Sequence, residues 1–281
     1  MTYDGYSTLK VALTDRVARV TIDHPPVNNL DATLASDLIS FVREVAHDDS
    51  VAVIILESAN EEFFVAHADM EFMFDAGPLM ALADPDGDEA LNPLQQFHER
   101  FRALPQVTIA KLQGFARAGG VELAMAADLR FAAADKTWLA QPETRMGIFP
   151  GGGGTQYLTR LVGRARALEI VLGAGLYGTD LAEKYGWINR AIQAEELDDY
   201  VTSLAHRIAN LPAGVVAAAV EAIDAAEASG AVPVLSEESA AHVKVYPSPE
   251  SVVEKIRRAV DAGAQTAEGE RDLEGLLDSV N

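Results

Sequence analysis

The sequence predicts an α/β protein in which buried strands alternate with helices, followed by a helical C-terminal part. A continuous apolar run at residues 51–56 is bounded by polar residues, and the runs at residues 107–112 and 129–134 look similar. Such runs are typical of strands that are buried on both faces. Alanine-rich, aromatic-poor stretches follow residue 161 and favour helices there. The alternation in the first part of the chain favours α/β packing.

The chain opens with two short β-branched runs, residues 8–13 and 17–22, which predict a hairpin. Pro25 and Pro26 end the second run, because proline has no N–H for a strand ladder. A helix is predicted next, with Asp31 as its N-cap and one apolar face. The residues of that face are Leu34, Leu38, Phe41, Val42 and Val45.

From residue 155 onward the pattern is helical almost throughout. The predicted helices cover residues 155–161, 164–172, 180–185, 197–209, 215–226 and 251–262. The composition changes near Glu195. We therefore expect an αβ core with the active site at residues 1–195 and a helical C-terminal region at residues 196–281.

Composition excludes several function classes. The chain has 22 basic and 43 acidic residues and a net charge of −21, which argues against nucleic acid and anionic membranes as partners. It has no cysteine, so disulfides, thiolate zinc sites and a cysteine nucleophile are excluded. The histidines show no metal-ligand spacing, so no metal site is expected. No signal-like leader and no uninterrupted apolar span is visible, and the expectation is a soluble, cytoplasmic protein.

The first candidate site is the run Ala118-Gly119-Gly120-Val121-Glu122. Glycines allow a ligand to approach the backbone closely, and the unpaired N–H groups at a helix start bind anions. Taken alone, the run is more simply interpreted as a tight turn into a helix, with Glu122 complementing the helix dipole.

The second candidate site is Gln141-Pro142-Glu143, where proline stiffens the turn that carries a carboxylate. Two carboxylates around one water can divide the work, since one accepts a proton while the other delivers a proton beside an acyl carbonyl. The following glycines, residues 151–154, lack the Lys-Ser/Thr ending of a phosphate loop and are predicted to form a turn into a helix.

Together with Phe63-Phe64-Val65-Ala66-His67-Ala68-Asp69, these runs resemble the crotonase family, the enoyl-CoA hydratases and isomerases. The resemblance extends over nearly the whole chain, with a poor match at residues 77–105 and only generic helices after residue 230. It implies a spiral of αβ units with a helical C-terminal oligomerisation region, as a homotrimer or a dimer of trimers. It also implies an acyl-CoA thioester substrate, with coenzyme A as acyl carrier and no other cofactor.

The resemblance also assigns roles to individual residues. The main-chain N–H groups of Ala68 and Gly119 would form the oxyanion hole for the thioester oxygen, an effect of roughly 3 kcal/mol per donor. Glu122 and Glu143 would be catalytic, with Glu143 the partner of the α-carbon. The substrate-binding residues implied in the same way are Ala66, His67, Asp69 and Gly120.

Two residues depart from the family pattern. The family usually has glycine at the position of His67 and often at that of Ala118. If position 67 needs a positive φ, histidine adopts it at some cost. His67 either bridges a turn at the surface, which is the favoured interpretation, or reaches the pocket as an extra polar group.

Coenzyme A is a polyanion, so its binding to this acidic chain requires local positive charge. Lys255, Arg257 and Arg258 lie on a predicted C-terminal helix and could meet its phosphates. A solvated helix face is the favoured alternative.

The expected activity is the addition of water across the 2,3-double bond of an acyl-CoA, because the hydratases carry both glutamates. The alternatives are an enoyl-CoA isomerase, since isomerases commonly keep only the second glutamate, and a catalytically weak acyl-CoA-binding or assembly protein.

Overall fold

The protein is built on one mixed β-sheet. A computed structural model describes residues 3–211 and 250–280, together with residues 216, 219, 220 and 223. Within these residues eight strands form the sheet, in the order β1-β2-β3-β5-β6-β7, while β4 pairs with β5 and β8 pairs with β6. The strands are β1 (Leu9–Thr14), β2 (Val17–Ile22), β3 (Val53–Ser58), β4 (Phe63–Val65), β5 (Val107–Arg117), β6 (Leu129–Ala140), β7 (Leu176–Gly178) and β8 (Arg190–Ile192).

Helices cover both faces of this sheet. They are α1 (Ala32–Val45), α2 (Gly77–Met80), α3 (Pro93–Arg102), α4 (Gly119–Ala126), α5 (Gly154–Val162), α6 (Arg164–Gly173), α7 (Thr179–Tyr185), α8 (Ala194–Ala209), α9 (Glu250–Asp261), α10 (Ala267–Arg271) and α11 (Leu273–Ser279). Two short 3₁₀ helices, Met70–Met73 and Glu143–Met146, follow β4 and β6. The predicted α/β class and the C-terminal helices are confirmed.

The first elements form as their local sequence dictates. β1 and β2 pair antiparallel, which confirms the hairpin, and β2 continues parallel to β3. The carboxylate of Asp31 accepts from the N–H groups of Thr33 and Leu34, both at 2.9 Å, so it caps α1 as predicted. All five predicted apolar-face residues of α1 are buried.

The two faces of the sheet have separate cores. One core gathers apolar residues of α1, α3, α4, α5 and α6 with strand residues such as Ile54 and Leu112. The other is formed where α8 packs on Ile55, Ile109 and Phe131. A strand between two such layers is buried on both faces, which explains the continuous apolar runs.

Part of the predicted helical stretch is β-structure. β7 and β8 are three-residue strands that pair with β6, and β6 itself extends to Ala140 rather than ending near residue 134. Three residues carry too little periodicity to show in a sequence, and their pairing with β6 is a tertiary contact.

The other helix predictions for this part agree with the structure within a few residues. The helix predicted at residues 215–226 lies outside the described residues, apart from the few positions named above. The boundary at residue 195 and the oligomerisation role of the C-terminal region stay predictions. No described helix is long and apolar enough to cross a membrane.

Helices α9 and α11 pack against the two 3₁₀ helices, and Ala267 of α10 packs against Phe63 and Ala66. Ile256 and Ala259 of α9 and Leu273 and Leu277 of α11 form a small core with Met70 and Met146. This packing brings the C-terminal end of the chain to the carboxyl ends of β4 and β6, where the candidate site residues lie.

Candidate active site

In the loop after β4, the N–H of Ala68 points away from Leu30, the residue with which this loop pairs. Leu30 forms a parallel bridge with Ala68, in which Leu30 N–H donates to His67 O at 2.9 Å and Asp69 N–H donates to Leu30 O at 3.1 Å. In such a bridge the central residue directs its own N–H to the opposite side. On that side lies the first turn of α4.

Two glycines allow α4 to approach this loop. A Cβ added at Gly119 would lie 2.8 Å from the Cβ of Ala68 and 3.2 Å from its amide nitrogen. A Cβ at Gly120 would lie 2.1 Å from the carbonyl oxygen of Val65. Only residues without a side chain fit here, and the backbones of Ala68 and Gly119 lie side by side.

The start of α4 leaves N–H groups available to a ligand. The helix begins with the bond from Glu122 N–H to Ala118 O at 3.0 Å, so the N–H groups of residues 119–121 precede the first helical hydrogen bond. Ala118 itself has φ 45° and ψ −124°, a conformation that non-glycine residues seldom adopt. Two adjacent main-chain donors of this kind can hold a carbonyl oxygen as negative charge develops on it.

The carboxylate of Glu122 is fixed by the glycine loop 151–154. Its Oε1 accepts from the N–H groups of Gly152 and Gly154, each at 2.9 Å. A Cβ at Gly152 would lie 2.5 Å from Oε2 of Glu122, and one at Gly154 would lie 2.7 Å from Oε1. The loop is therefore a turn into α5 that binds a carboxylate, which confirms the predicted turn. Glycine is needed at residues 152 and 154 because a side chain there would collide with that carboxylate.

Glu143 is buried at the start of the second 3₁₀ helix. With the Gln141 amide oriented so that its nitrogen faces the carboxylate, that nitrogen donates to Oε1 of Glu143 at 2.7 Å and to Oε2 at 3.0 Å. Pro142 separates the two residues and ends β6, so the strand fixes the position of this turn.

One cavity of about 340 Å³ brings most of the predicted site residues together. His67, Ala68, Asp69, Gly119, Glu122 and Glu143 all line it. The rest of its lining is mainly apolar and includes Met70, Phe72, Met73, Met80, Met146 and Leu273. No described residue that lines it is a lysine or an arginine.

The structure does not bring Ala66 and Gly120 to this cavity. Ala66 packs with Val27 and Phe63 in a separate small core. Gly120 faces the carbonyl of Val65, as described above. Ala66 supports the loop from behind, because consecutive residues of an extended segment face opposite sides, and Gly120 lets α4 approach that loop.

His67 is buried, and the favoured surface position was wrong. Its side chain is 3% exposed; Nε2 lies 2.5 Å from Oε1 of Glu270, and Nδ1 donates to Ala68 O at 2.9 Å. Burial by itself lowers the pKa of His67, but the carboxylate of Glu270 outweighs it and raises that pKa above its ordinary value. His67 is not among the residues with positive φ, so the position does not require glycine on that ground. Its partner Glu270, 203 positions away, carries no sequence signal that could have revealed the pairing.

α3 and its N-cap residue contribute two further residues that sequence reasoning missed. Asn92 Nδ2 donates to Gly151 O at 2.7 Å, and His98 Nδ1 donates to Gly152 O at 2.6 Å. Burial lowers the pKa of His98 to about 4, so its ring is neutral. Both side chains hold the loop that binds Glu122, and they come from the segment where the resemblance was poorest.

The basic residues of α9 are partly engaged. Lys255 Nζ donates to the carbonyl of Arg145, and the guanidinium of Arg257 lies 5.4 Å from the ring centroid of Phe74. The favoured interpretation as a solvated helix face holds for Arg257 and Arg258, which are exposed, but not for the half-buried Lys255. Among the described residues no cluster of three potential metal ligands exists.

Comparison with known proteins agrees with this architecture. The family model described as enoyl-CoA hydratase/isomerase matches residues 13–259. The chain belongs to this family. The resemblance read from the three motifs is thereby confirmed.

Individual relatives within the enoyl-CoA hydratase/isomerase family cover most of the chain. A short-chain-enoyl-CoA hydratase from Clostridium acetobutylicum is 33% identical over 71% of this chain and 75% of its own length. A crotonyl-CoA hydratase from Syntrophomonas wolfei is 33% identical over 73% of this chain and 76% of its own length. The crystal structure of a candidate enoyl-CoA hydratase from Streptomyces avermitilis is 45% identical, with a TM-score of 0.91 over 98% of this chain and 99% of that one.

Proposed function

We propose that this protein is an enoyl-CoA hydratase that adds water across the 2,3-double bond of an acyl-CoA thioester. The observation that carries the proposal is that two buried carboxylates, Glu122 and Glu143, line the same cavity as the adjacent backbones of Ala68 and Gly119. The names of the relatives from Clostridium acetobutylicum and Syntrophomonas wolfei support the same reaction.

In the proposed mechanism the main-chain N–H groups of Ala68 and Gly119 bind the thioester oxygen. As the water oxygen forms its bond to C3, the electron pair of the double bond moves into the thioester and makes an enolate. The two donors stabilise the negative oxygen of that enolate. The enolate then collapses as C2 takes up a proton.

The two glutamates would move the protons. Glu122 accepts a proton from the attacking water, and the protonated carboxyl of Glu143 delivers its proton to C2. The fixed positions of both side chains suit this work, since Gly152 and Gly154 hold one and Gln141 holds the other. Proton exchange with solvent restores the starting protonation states.

The cavity lining supports an apolar acyl group. Four of the six methionines in the sequence, Met70, Met73, Met80 and Met146, line the cavity. Methionine side chains are flexible and adapt to ligands of different shape. An acyl group that ends in a carboxylate would be buried without a cationic partner, which is costly. We therefore expect alkyl enoyl-CoAs to have a much higher kcat/KM than enoyl-CoAs with a terminal carboxylate.

The discriminating experiment is the hydration of crotonyl-CoA, followed by the loss of its enone absorbance. Turnover that disappears in a Glu143→Gln variant would support the proposal. Double-bond migration in a 3-enoyl-CoA without hydration would identify an isomerase instead. Tight binding of CoA esters with no turnover of any enoyl-CoA would identify a binding protein and refute the proposal.

A further inference from the structure

His67 is joined to the C-terminal helices through a buried group of charged side chains. Glu270 of α10 accepts at Oε1 from His67 Nε2 at 2.5 Å and from the N–H of Gln265 at 2.6 Å. Its Oε2 lies 3.6 Å from Nη1 of Arg117, at the end of β5. Arg117 Nε in turn donates to Oε1 of Glu274 in α11 at 2.9 Å. These four charged side chains, His67, Glu270, Arg117 and Glu274, are called the ionic cluster below.

The ionic cluster is enclosed, and its charges balance. The side chains of Arg117 and Glu270 are fully buried, and those of His67 and Glu274 are 3% and 14% exposed. Buried charges are tolerated only when they are paired, so each member depends on the others. A protonated His67 and Arg117 compensate the two carboxylates. Because its members come from a loop, a strand and two helices, the ionic cluster fixes these elements relative to one another.

Leu30 and the ionic cluster each hold one of the two peptide groups that flank Ala68. His67 O belongs to the same planar peptide as the N–H of Ala68, and it accepts from Leu30 N–H at 2.9 Å. Ala68 O belongs to the next peptide and accepts from His67 Nδ1 at 2.9 Å. With both planes held, the direction of the Ala68 N–H is fixed. The imidazole can keep its position only while Glu270 holds its other nitrogen.

We propose that His67 and Glu270 are positioning residues for the oxyanion hole, because the ionic cluster aims the N–H of Ala68 at the thioester oxygen. This inference rests on the proposed function, in which that N–H binds the substrate. It makes the C-terminal helices part of the machinery that polarises the substrate, although none of their charged residues touches the reacting atoms.

The arrangement requires a doubly protonated imidazole, because both ring nitrogens of His67 face acceptors. The carboxylate of Glu270 favours that charge, while burial and the guanidinium of Arg117 oppose it. Glu274 from α11 neutralises Arg117, and Asp69 on the same loop and Glu122 in the cavity add negative charge nearby, whereas Glu143 is protonated in the proposed mechanism. The raised pKa means that the charge is present at low pH and is lost as pH rises through that pKa. The neutral imidazole that remains at alkaline pH has only one N–H, so it loses its hydrogen bond either to Ala68 O or to Glu270.

The test measures polarisation of a bound thioester without any reaction. Butyryl-CoA labelled with carbon-13 at the carbonyl is saturated and cannot be hydrated, and hydrogen bonds to its oxygen lower the infrared carbonyl stretch. The variants are His67→Gln and Glu270→Gln. The matched control is Arg271→Gln, which removes a charge from the same helix but from an exposed pair with Glu62, both side chains being 52% exposed.

Both cluster variants are expected to lose at least half of the wild-type lowering of the stretch, whereas the control keeps it. In hydration assays they are expected to lower kcat by about tenfold or more with KM changed by less than about threefold, since removal of one donor costs about 10²–10³ in kcat. The alkaline limb of the kcat profile is expected to move to lower pH in Glu270→Gln, which a merely structural role would not produce.

An unchanged carbonyl stretch in both folded variants overturns the inference. If Glu270→Gln does not fold, the double variant His67→Gln/Glu270→Gln removes both charges together, and it is expected to show the same loss. Because the probe is unreactive, a failure of the proposed hydratase activity is distinguishable. In that case the wild-type protein would still lower the carbonyl stretch of bound butyryl-CoA, His67→Gln would lower it less, and neither protein would hydrate crotonyl-CoA.

Discussion

Gly119→Ala is a direct perturbation of the proposed oxyanion hole. The added Cβ would lie 2.8 Å from the Cβ of Ala68 and 3.2 Å from its amide nitrogen, whereas ordinary contacts begin at 3.4 Å. The loop and α4 must therefore separate by about half an ångström. Neither side can yield cheaply, because Leu30 holds the loop and the carbonyl of Val65 lies against Gly120.

The expected result follows from how donors act in a transition state. A misplacement of about 1 Å can cost about 10² in rate, and loss of one oxyanion donor costs about 10²–10³ in kcat. For half that displacement we expect kcat for crotonyl-CoA hydration to fall by about 10- to 100-fold. KM should change much less, since the negative oxygen of the enolate gains more from the two donors than the neutral thioester oxygen does. The assay is steady-state loss of enone absorbance, with thermal unfolding measured in parallel.

Gly173→Ala is the matched control. A Cβ at this last residue of α6 would meet no atom within 4 Å, and the residue does not have positive φ. Its kcat should equal that of the wild type, and its stability should be unchanged or slightly higher. A well-folded Gly119→Ala variant with wild-type kcat would refute the role of these two backbones.

Three further changes test other parts of the site. Glu122→Gln and Glu143→Gln should each lower kcat by roughly 10²-fold or more. The double variant should lose much less than the product of the two single losses, because both side chains act on one water. Losses that multiply in stopped-flow or steady-state assays would contradict this shared action. Ala118→Gly should raise the free energy of unfolding by roughly 1 kcal/mol. The substitution relieves backbone strain of about 1–3 kcal/mol, while the added entropy of the unfolded chain offsets up to about 1 kcal/mol of that gain. A urea midpoint below that of the wild type would argue against strain at residue 118. His98 binds its proton only near pH 4 when folded but near its ordinary value of 6.5 when unfolded. It should therefore remove up to about 3 kcal/mol of stability as pH falls through this window. The free energy of unfolding of the wild type should therefore fall relative to that of His98→Gln as pH is lowered through that window. A difference that does not change with pH would show that His98 does not titrate as described.

Features that depend on neighbouring residues could be predicted from the sequence. The hairpin, the cap of Asp31 and the start of α4 at Gly119 all follow from local patterns, and the structure has each of them. The motif resemblance also placed Glu122 and Glu143 on what is one cavity. Spacing along the chain was sufficient there, because both motifs directly follow long strands whose carboxyl ends meet at one edge of the sheet.

Features that depend on distant partners could not be predicted. A histidine in a turn is ordinarily exposed, and only Glu270 in a helix near the end of the chain makes burial of His67 favourable. Asn92 and His98 gain their roles only where α3 meets the glycine loop. The alternation of facing in an extended segment, which places Ala66 behind the loop and His67 at the cavity, can be read from the sequence only once the direction of one residue is known.

The packing of α10 and α11 on the loop after β4 has a consequence for biosynthesis. Leu273 lines the cavity and Glu270 neutralises His67, so a nascent chain cannot complete the site before these residues have left the ribosome. The strands that carry the remaining groups emerge long before, with the future cavity open to water and His67 without its carboxylate. Under the proposed function the polarising site therefore forms only after α10 and α11 have emerged, and slow translation of these two helices should delay the appearance of activity more than the appearance of secondary structure.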